Sequence, residues 1–68
     1  MSNLIELDVV GMTCDHCARA VSAEVGALDG VNEVHVDLPT GQVRISADRT
    51  LSTAELREAV EEAGYQLA

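Results

Sequence analysis

Hydrophobic and polar residues alternate along four short stretches of the chain, with turn residues between them. Apolar side chains at every second position are typical of strands that bury one face. The alternation predicts strands over Leu4–Val10, Val31–Leu38 and Val43–Ala47, and a short last strand over Tyr65–Leu67. Gly11 breaks the first strand, and the turn "LPTGQ" lies between the second and third, which we therefore expect to form a hairpin.

Two further segments repeat their apolar residues at the three- and four-residue spacing of an amphipathic helix. The first runs from Asp15 to about Leu28, and the second from the capping box "STAE", which begins at Ser52, to Ala63. We expect Gly30 to stop the first helix. The apolar stripes are Ala18, Val21, Val25 and Leu28 in the first helix and Leu56, Ala59, Val60 and Ala63 in the second.

The order of these elements, strand, helix, strand, strand, helix, strand, predicts the fold class. No linker or low-complexity segment interrupts residues 1–68, so the chain is expected to form one domain. Two strand-helix-strand units in succession favour an α+β, ferredoxin-like βαββαβ fold, a four-stranded antiparallel sheet with both helices on one face. A domain of 68 residues has a small core and marginal stability.

The charge of the chain excludes some classes of partner. Twelve acidic residues against four arginines and no lysine give a formal net charge of −8. Nucleic acids and anionic membrane surfaces repel such a protein. Two readings of the acidity stay open: a partner with a basic docking face, or solubility alone.

No targeting or membrane segment is apparent in the sequence. The start "MSNLIELDVV" lacks the basic and long apolar regions of a signal peptide, and its "MS" favours a complete small protein. No apolar run is long enough to cross a bilayer. The sequence therefore predicts a cytoplasmic protein, in which two reduced cysteines are a poor basis for a disulfide.

Candidate chemistry centres on the only two cysteines, Cys14 and Cys17, at the predicted start of the first helix. Their spacing is close to one helical turn, so both side chains can approach one point. The free amides of a helix N-terminus stabilise thiolates, the form that binds metal. Two thiolates suit Cu(I), whereas Zn(II) prefers four ligands and could add only His16 and His35. The strand residue His35 is expected to be a surface residue.

The segment "GMTCDHC", residues 11–17, resembles the signature of the heavy-metal-associated domain family. "LDGV" after the first helix and "AGY" after the second also lie where that family has them. The resemblance covers nearly the whole chain and is strongest to the small free-standing copper chaperones of bacteria. It implies a ferredoxin-like fold, Cu(I) bound by two thiolates, and delivery to a copper-transporting P-type ATPase or a copper-responsive regulator.

The resemblance also assigns roles to individual residues. It implies that Cys14 and Cys17 are the metal ligands and that Met12 points into the core without binding metal. His16 and Tyr65 match positions beside the ligands that tune access and exchange. Thr13 stands where zinc- and lead-exporting relatives often have Asp, which favours copper. Eukaryotic chaperones of the family have lysine at the position of Tyr65, so their docking mode is not expected here.

Several alternatives stay open at this point. The chain could be the metal-binding domain of a heavy-metal ATPase, or a mercury- or zinc-binding relative. A Cys-x-x-Cys pair at a helix start is also what thiol-disulfide enzymes use, although a binding protein without catalytic residues is our expectation. A copper-bridged homodimer, with His16 as an added ligand, is a further alternative. Glu61 and Glu62 could belong to a docking face or simply be solvated.

Overall fold

The computed structural model describes residues 3–68 and has the element order that the sequence predicts. The elements are β1 (Asn3–Val10), α1 (Asp15–Gly26), β2 (Val31–Asp37), β3 (Gln42–Ala47), α2 (Thr53–Glu62) and β4 (Gln66–Leu67). The ferredoxin-like βαββαβ fold is thereby confirmed. Within residues 3–68, neither helix has the length and apolar character needed to cross a membrane.

The four strands form one antiparallel sheet in the order β2-β3-β1-β4. β3 and β1 occupy the centre, and the register places Ile5 opposite Ile45. β2 and β3 form the predicted hairpin, with Val34 also opposite Ile45. β4 is short and pairs only with the end of β1, where Val9 lies opposite Leu67. The first and last strands of the chain are therefore neighbours in the sheet.

The core lies between the inner face of the sheet and the apolar stripes of the two helices. Its fully buried side chains come from α1, α2 and the central strand β3, because the inward faces of these elements meet in the middle of the domain. They are Val21, Val25, Val60, Val43, Ile45 and Ala47. The outer strand β2 contributes Val34 and Val36, which are only half-buried because β2 has a neighbour on one side alone.

Both helices end earlier than the sequence pattern predicts. α1 ends at Gly26 rather than Leu28, because its last turn tightens and the Leu28 amide donates to the Val25 carbonyl at 3.1 Å. Leu28 still packs half-buried against the core, so it keeps the apolar periodicity without being helical. α2 ends at Glu62, one residue before the predicted end, and its predicted capping box is confirmed. The bounds of all four strands also differ from prediction by one residue at one end, and β1 begins at Asn3 rather than Leu4.

Arg49 links three segments at the end of the domain where α2 begins. Its guanidinium forms two bonds with the carboxylate of Glu55, from Nη2 to Oε2 at 2.6 Å and from Nη1 to Oε1 at 3.2 Å. It also donates to the backbone carbonyls of Asp29 at 2.8 Å and Thr50 at 3.2 Å. Glu55 Oε1 in addition accepts from the amide of Ser52 at 3.1 Å. Arg49 holds the carboxylate in its charged form, and with the Ser52 amide it lowers the pKa of Glu55 from 4.5 to about 2.

Replacing this carboxylate by an amide, Glu55→Gln, should change how unfolding depends on pH. The folded-state pKa of Glu55 is depressed, so its contribution to stability is present above pH 4.5 and is lost as pH falls towards 2. Wild type should resist urea better than Glu55→Gln at neutral pH, and this difference should shrink across that window. Urea unfolding of both proteins at a series of pH values measures it. A difference that stayed constant down to pH 2 would contradict the assignment.

Candidate metal centre

Two cysteine side chains come together at the start of α1, in the loop that follows β1. Cys14 is the N-cap residue of the helix and has an extended backbone, with φ −153° and ψ 170°. Cys17 lies in the first helical turn, and the two Sγ atoms are 3.5 Å apart. Both cysteines are free thiols. The two sulfurs are therefore close enough for one metal ion to contact both.

The loop that carries the sulfurs is anchored by its first two residues. Gly11 has a φ of +94°, and a Cβ at this position would lie only 3.3 Å from Cδ1 of Tyr65. Glycine therefore suits both the left-handed backbone and the close approach of the ring. Met12 is 8% exposed and belongs to the core, where the family resemblance places it. Cys14, beyond these anchors, is exposed, whereas Cys17 is half-buried against the core.

The thiol of Cys17 ionises more readily than that of an ordinary cysteine. Its pKa falls from 9.0 to about 6, so it is mostly thiolate at neutral pH. The largest cause is hydrogen bonding from the Tyr65 hydroxyl, followed by the backbone amide of Thr13 and the side chain of Cys14. Burial opposes these effects. The same interaction with Cys17 raises the pKa of Tyr65. The site thus holds one sulfur ready to bind a cation.

Removing the tyrosine hydroxyl, Tyr65→Phe, should raise the pKa of Cys17 from about 6 towards 9.0, since the largest stabilising bond to the thiolate is lost. The pH titration of the Cys17 Cβ signal by NMR in the metal-free, reduced protein measures this pKa without interference from Cys14. Gln66→Ala, a change at the exposed neighbouring residue, is the matched control and should leave the curve in place. Identical titrations for wild type and Tyr65→Phe would contradict the role of the hydroxyl.

The other predicted site residues divide into those near the sulfurs and those away from them. Thr13 and His16 are exposed residues of the cysteine loop and the first turn of α1. His35 is on β2, opposite Arg44 of β3, and is exposed as predicted. Residues 3–68 contain no group of three or more His, Cys, Asp or Glu side chains that could hold a metal ion. The described chain therefore brings two sulfurs together without assembling the larger ligand set that zinc prefers.

Two causes of the low pKa of Cys17, the Thr13 amide and the Tyr65 hydroxyl, could not be predicted from the sequence. The amide of Thr13 acts on Cys17 through the backbone, and the only signal for it is that Thr13 directly precedes the N-cap. The proximity of Tyr65 to the sulfur depends on the fold, which brings the end of α2 beside the start of α1. Tyr65 packs against the core, and its ring also lies close to Gly11 at the start of the cysteine loop.

The fold and the cysteine loop match one known family along almost the whole chain. Residues 6–66 correspond to the heavy-metal-associated domain. The chain belongs to this family. The match includes both cysteines and Tyr65, so the resemblance seen in "GMTCDHC" is confirmed.

Relatives of this heavy-metal-associated domain include free-standing proteins and parts of larger ones. It is 46% identical over 63 residues to copper chaperone CopZ of Bacillus subtilis, with 91% of each chain covered. The solved structure of a CopZ metallochaperone has a TM-score of 0.89 and 33% identity, over 97% of this chain and 100% of that one. The N-terminal domain of a potential copper-translocating P-type ATPase from Bacillus subtilis, solved in the Cu(I)-loaded state, has a TM-score of 0.86 and 31% identity, over 98% and 85% of the two chains.

Proposed function

We propose that this heavy-metal-associated domain is a copper chaperone that binds Cu(I) between Cys14 and Cys17. The observation that carries the proposal is the pair of free thiols, whose sulfurs are 3.5 Å apart. Within residues 3–68, no His, Asp or Glu side chain joins them to form a group of three such ligands. Soft thiolates select Cu(I), whereas Zn(II) prefers four ligands of mixed type. The name of the Bacillus subtilis relative, copper chaperone, supports the same conclusion.

Delivery of copper by ligand exchange follows from the unequal exposure of the two sulfurs. Cys14 is exposed, so a thiolate of an acceptor protein can reach a copper ion held beside it. The incoming thiolate forms a third bond to copper, and the bond to Cys14 then breaks, so one thiolate replaces another on the ion. Cys17, half-buried and ionised, retains the ion until the acceptor supplies a second sulfur. Copper stays Cu(I) throughout and is never free.

The acceptor is a copper-exporting P-type ATPase or, as the second choice, a copper-responsive regulator. The ATPase is supported by the likeness to the Cu(I)-loaded N-terminal domain, since an acceptor of the same fold can present its own ligands in a similar geometry. A reducing compartment such as the cytoplasm would keep both thiols free for copper. The cytoplasmic location and the copper-bridged homodimer stay predictions.

An anaerobic competition titration tests the proposal. Reduced protein receives Cu(I) buffered by a strong Cu(I) chelator in the presence of excess Zn(II), and bound copper is measured after equilibration. Tight binding of one copper that zinc does not displace supports the chaperone. Failure to compete with the chelator, preference for zinc, or preference for Hg(II) in a parallel titration overturns the choice of metal. Transfer to the isolated N-terminal domain of a copper ATPase then tests delivery.

A second candidate function is that of a thiol-disulfide enzyme. It is favoured by the low pKa of Cys17, about 6, at the start of a helix, because the thiolate is the form that attacks a disulfide. Reduction of a disulfide substrate by the metal-free protein at catalytic rates would support it. Cys14→Ser separates the two candidates, because an oxidoreductase would then trap a mixed disulfide on Cys17, whereas a chaperone would show only weaker copper binding.

A further inference from the structure

β1 is longer than the strand that pairs with its outer side. β4 accompanies only Val9 and Val10, and the amide of Ala68 adds one bond to the carbonyl of Asp8 at 2.8 Å. β1 continues back to Asn3, and no strand within residues 3–68 lies beside its residues 4–7 on that side. We call residues 4–7 the β1 edge. The sheet is one strand narrower there than at the end where β4 pairs.

The backbone groups of the β1 edge alternate between its two sides. The Val9 amide donates to the Gly41 carbonyl at 2.8 Å, on the β3 side, whereas the Asp8 carbonyl accepts from Ala68 on the β4 side. Counting back in steps of two, Ile5 and Leu7 direct their amides and carbonyls towards β3. Leu4 and Glu6 direct theirs outward. Two amides and two carbonyls therefore face the side on which the described chain places no strand.

The side chains of the β1 edge are also incompletely covered. Ile5 and Leu7 point towards the core but are only half-buried, whereas their β3 partners Ile45 and Val43 have no exposed area. Leu4, on the opposite face, is 71% exposed, the largest value among the exposed large hydrophobic residues. A strand added beside the β1 edge would cover all three apolar side chains and satisfy the outward backbone groups.

We propose that the β1 edge binds an extended segment of another protein, which lies antiparallel to β1 and end to end with β4. The register sets the chemistry of this segment. Segment positions opposite Leu7 and Ile5 point inward and take β-branched apolar residues. The position opposite Leu4 points outward and takes an apolar residue. The position opposite Glu6 also points outward and takes a basic residue. Read from its N-terminus, the pattern is Val-Lys-Val-Leu. Binding of this segment does not depend on metal binding at Cys14 and Cys17.

Charge favours a basic segment over a second copy of this chain. The Glu6 carboxylate meets Arg44 of β3 at 3.3 Å, yet the Glu6 side chain remains 51% exposed and can face a second cation from the other side. The chain carries a net charge of −8, so a second copy would bring equal charge and its own Glu6 to the same edge. A partner that has basic and apolar residues in alternation avoids this repulsion.

Amide hydrogen exchange followed by NMR tests the proposal in metal-free, reduced protein. The probe is the capped peptide Thr-Val-Lys-Val-Leu-Thr, added to roughly 1 mM, the weak end of specific recognition. We expect exchange at the Leu4 and Glu6 amides to slow about twofold or more, the effect of a peptide concentration equal to Kd or above it, with Ile5 and Leu7 unchanged because they already bond to β3. The control peptide Thr-Val-Glu-Val-Leu-Thr keeps the apolar alternation but places a carboxylate opposite Glu6, and it should have a much smaller effect.

A charge swap adds a second criterion. Glu6→Lys should prefer the peptide in which glutamate replaces lysine, and Leu4→Ala, which changes no charge, should weaken binding of the original peptide. Unchanged exchange at Leu4 and Glu6 in wild type, or equal effects of the lysine and glutamate peptides on wild type, would overturn the proposal. So would protection that appears without peptide and rises with protein concentration, because it would identify a second copy as the occupant. Copper binding should be the same in Glu6→Lys, which separates this result from a failure of the proposed function.

Discussion

Serine in place of either Cys14 or Cys17 is expected to weaken Cu(I) binding by more than about a hundredfold. Loss of a group that only orients a ligand already costs about 10- to 100-fold in metal affinity, and here half of the proposed ligand set is removed. A serine hydroxyl is a hard donor that does not replace a thiolate for a soft ion. The remaining sulfur would have to share the ion with solvent or with a second molecule.

Competition with a Cu(I) chelator measures the affinity of each variant, and His16→Ala is the matched control. His16 lies between the two cysteines in sequence and is exposed, so its removal tests a direct ligand role without disturbing the core. We expect His16→Ala to stay within about tenfold of wild type, the lower end of the effect of a neighbouring group. A cysteine variant that retained wild-type affinity would contradict the two-sulfur site, and a large loss in His16→Ala would add a third ligand.

Truncation of Ile45 to alanine is expected to lower the free energy of unfolding by about 2–5 kcal/mol, the usual range for a buried isoleucine. Ile45 is fully buried and lies opposite both Ile5 and Val34, so a cavity here would open at the centre of the sheet. A domain of 68 residues has a total stability of roughly 3–10 kcal/mol at the usual value per residue. The variant should therefore lose a large share of its stability and unfold at a clearly lower urea concentration than wild type.

Urea unfolding followed by circular dichroism measures the loss, with two controls. Ile45→Val removes one methylene and should cost about 0.5–1.5 kcal/mol. Leu4→Ala truncates a side chain that is 71% exposed on the adjacent strand and should stay within about 0.5 kcal/mol of wild type. If Leu4→Ala cost as much as Ile45→Ala, the burial pattern of the sheet would be wrong.

The element order and the core could be predicted from the sequence because both depend on local periodicity. Val21 and Val25 recur at helical spacing and Val43 and Ile45 at strand spacing, and all four are buried. The end of α1 could not be predicted in the same way. In the tight last turn, Leu28 lies on the same side as Val25, three residues before it, so the apolar pattern continues past the point where the helix ends.

In the candidate site, too, the sequence predicts relations between nearby residues but not contacts between distant segments. The positions of Cys14 and Cys17 could be predicted because they are three residues apart at a helix start, a local relation. The hydrogen bonding of Tyr65 to Cys17 and the bonds of Arg49 to Asp29 and Glu55 join segments distant in sequence. No periodicity encodes such contacts, and they become visible only when the sheet order is known.

The pairing of β1 with β3 and β4 has a consequence for how the protein is made. A ribosome synthesises β1 and the cysteine loop before both neighbours of β1 in the sheet, and β4 follows all the other described elements. Tyr65, whose hydroxyl lowers the pKa of Cys17, directly precedes β4 and is therefore also synthesised late. The nascent chain thus carries both thiols long before it can complete the site. The low pKa of Cys17 is acquired only after Tyr65 has been synthesised and folded beside it, so a growing polypeptide that still lacks Tyr65 does not carry the readily ionised thiol of the folded domain.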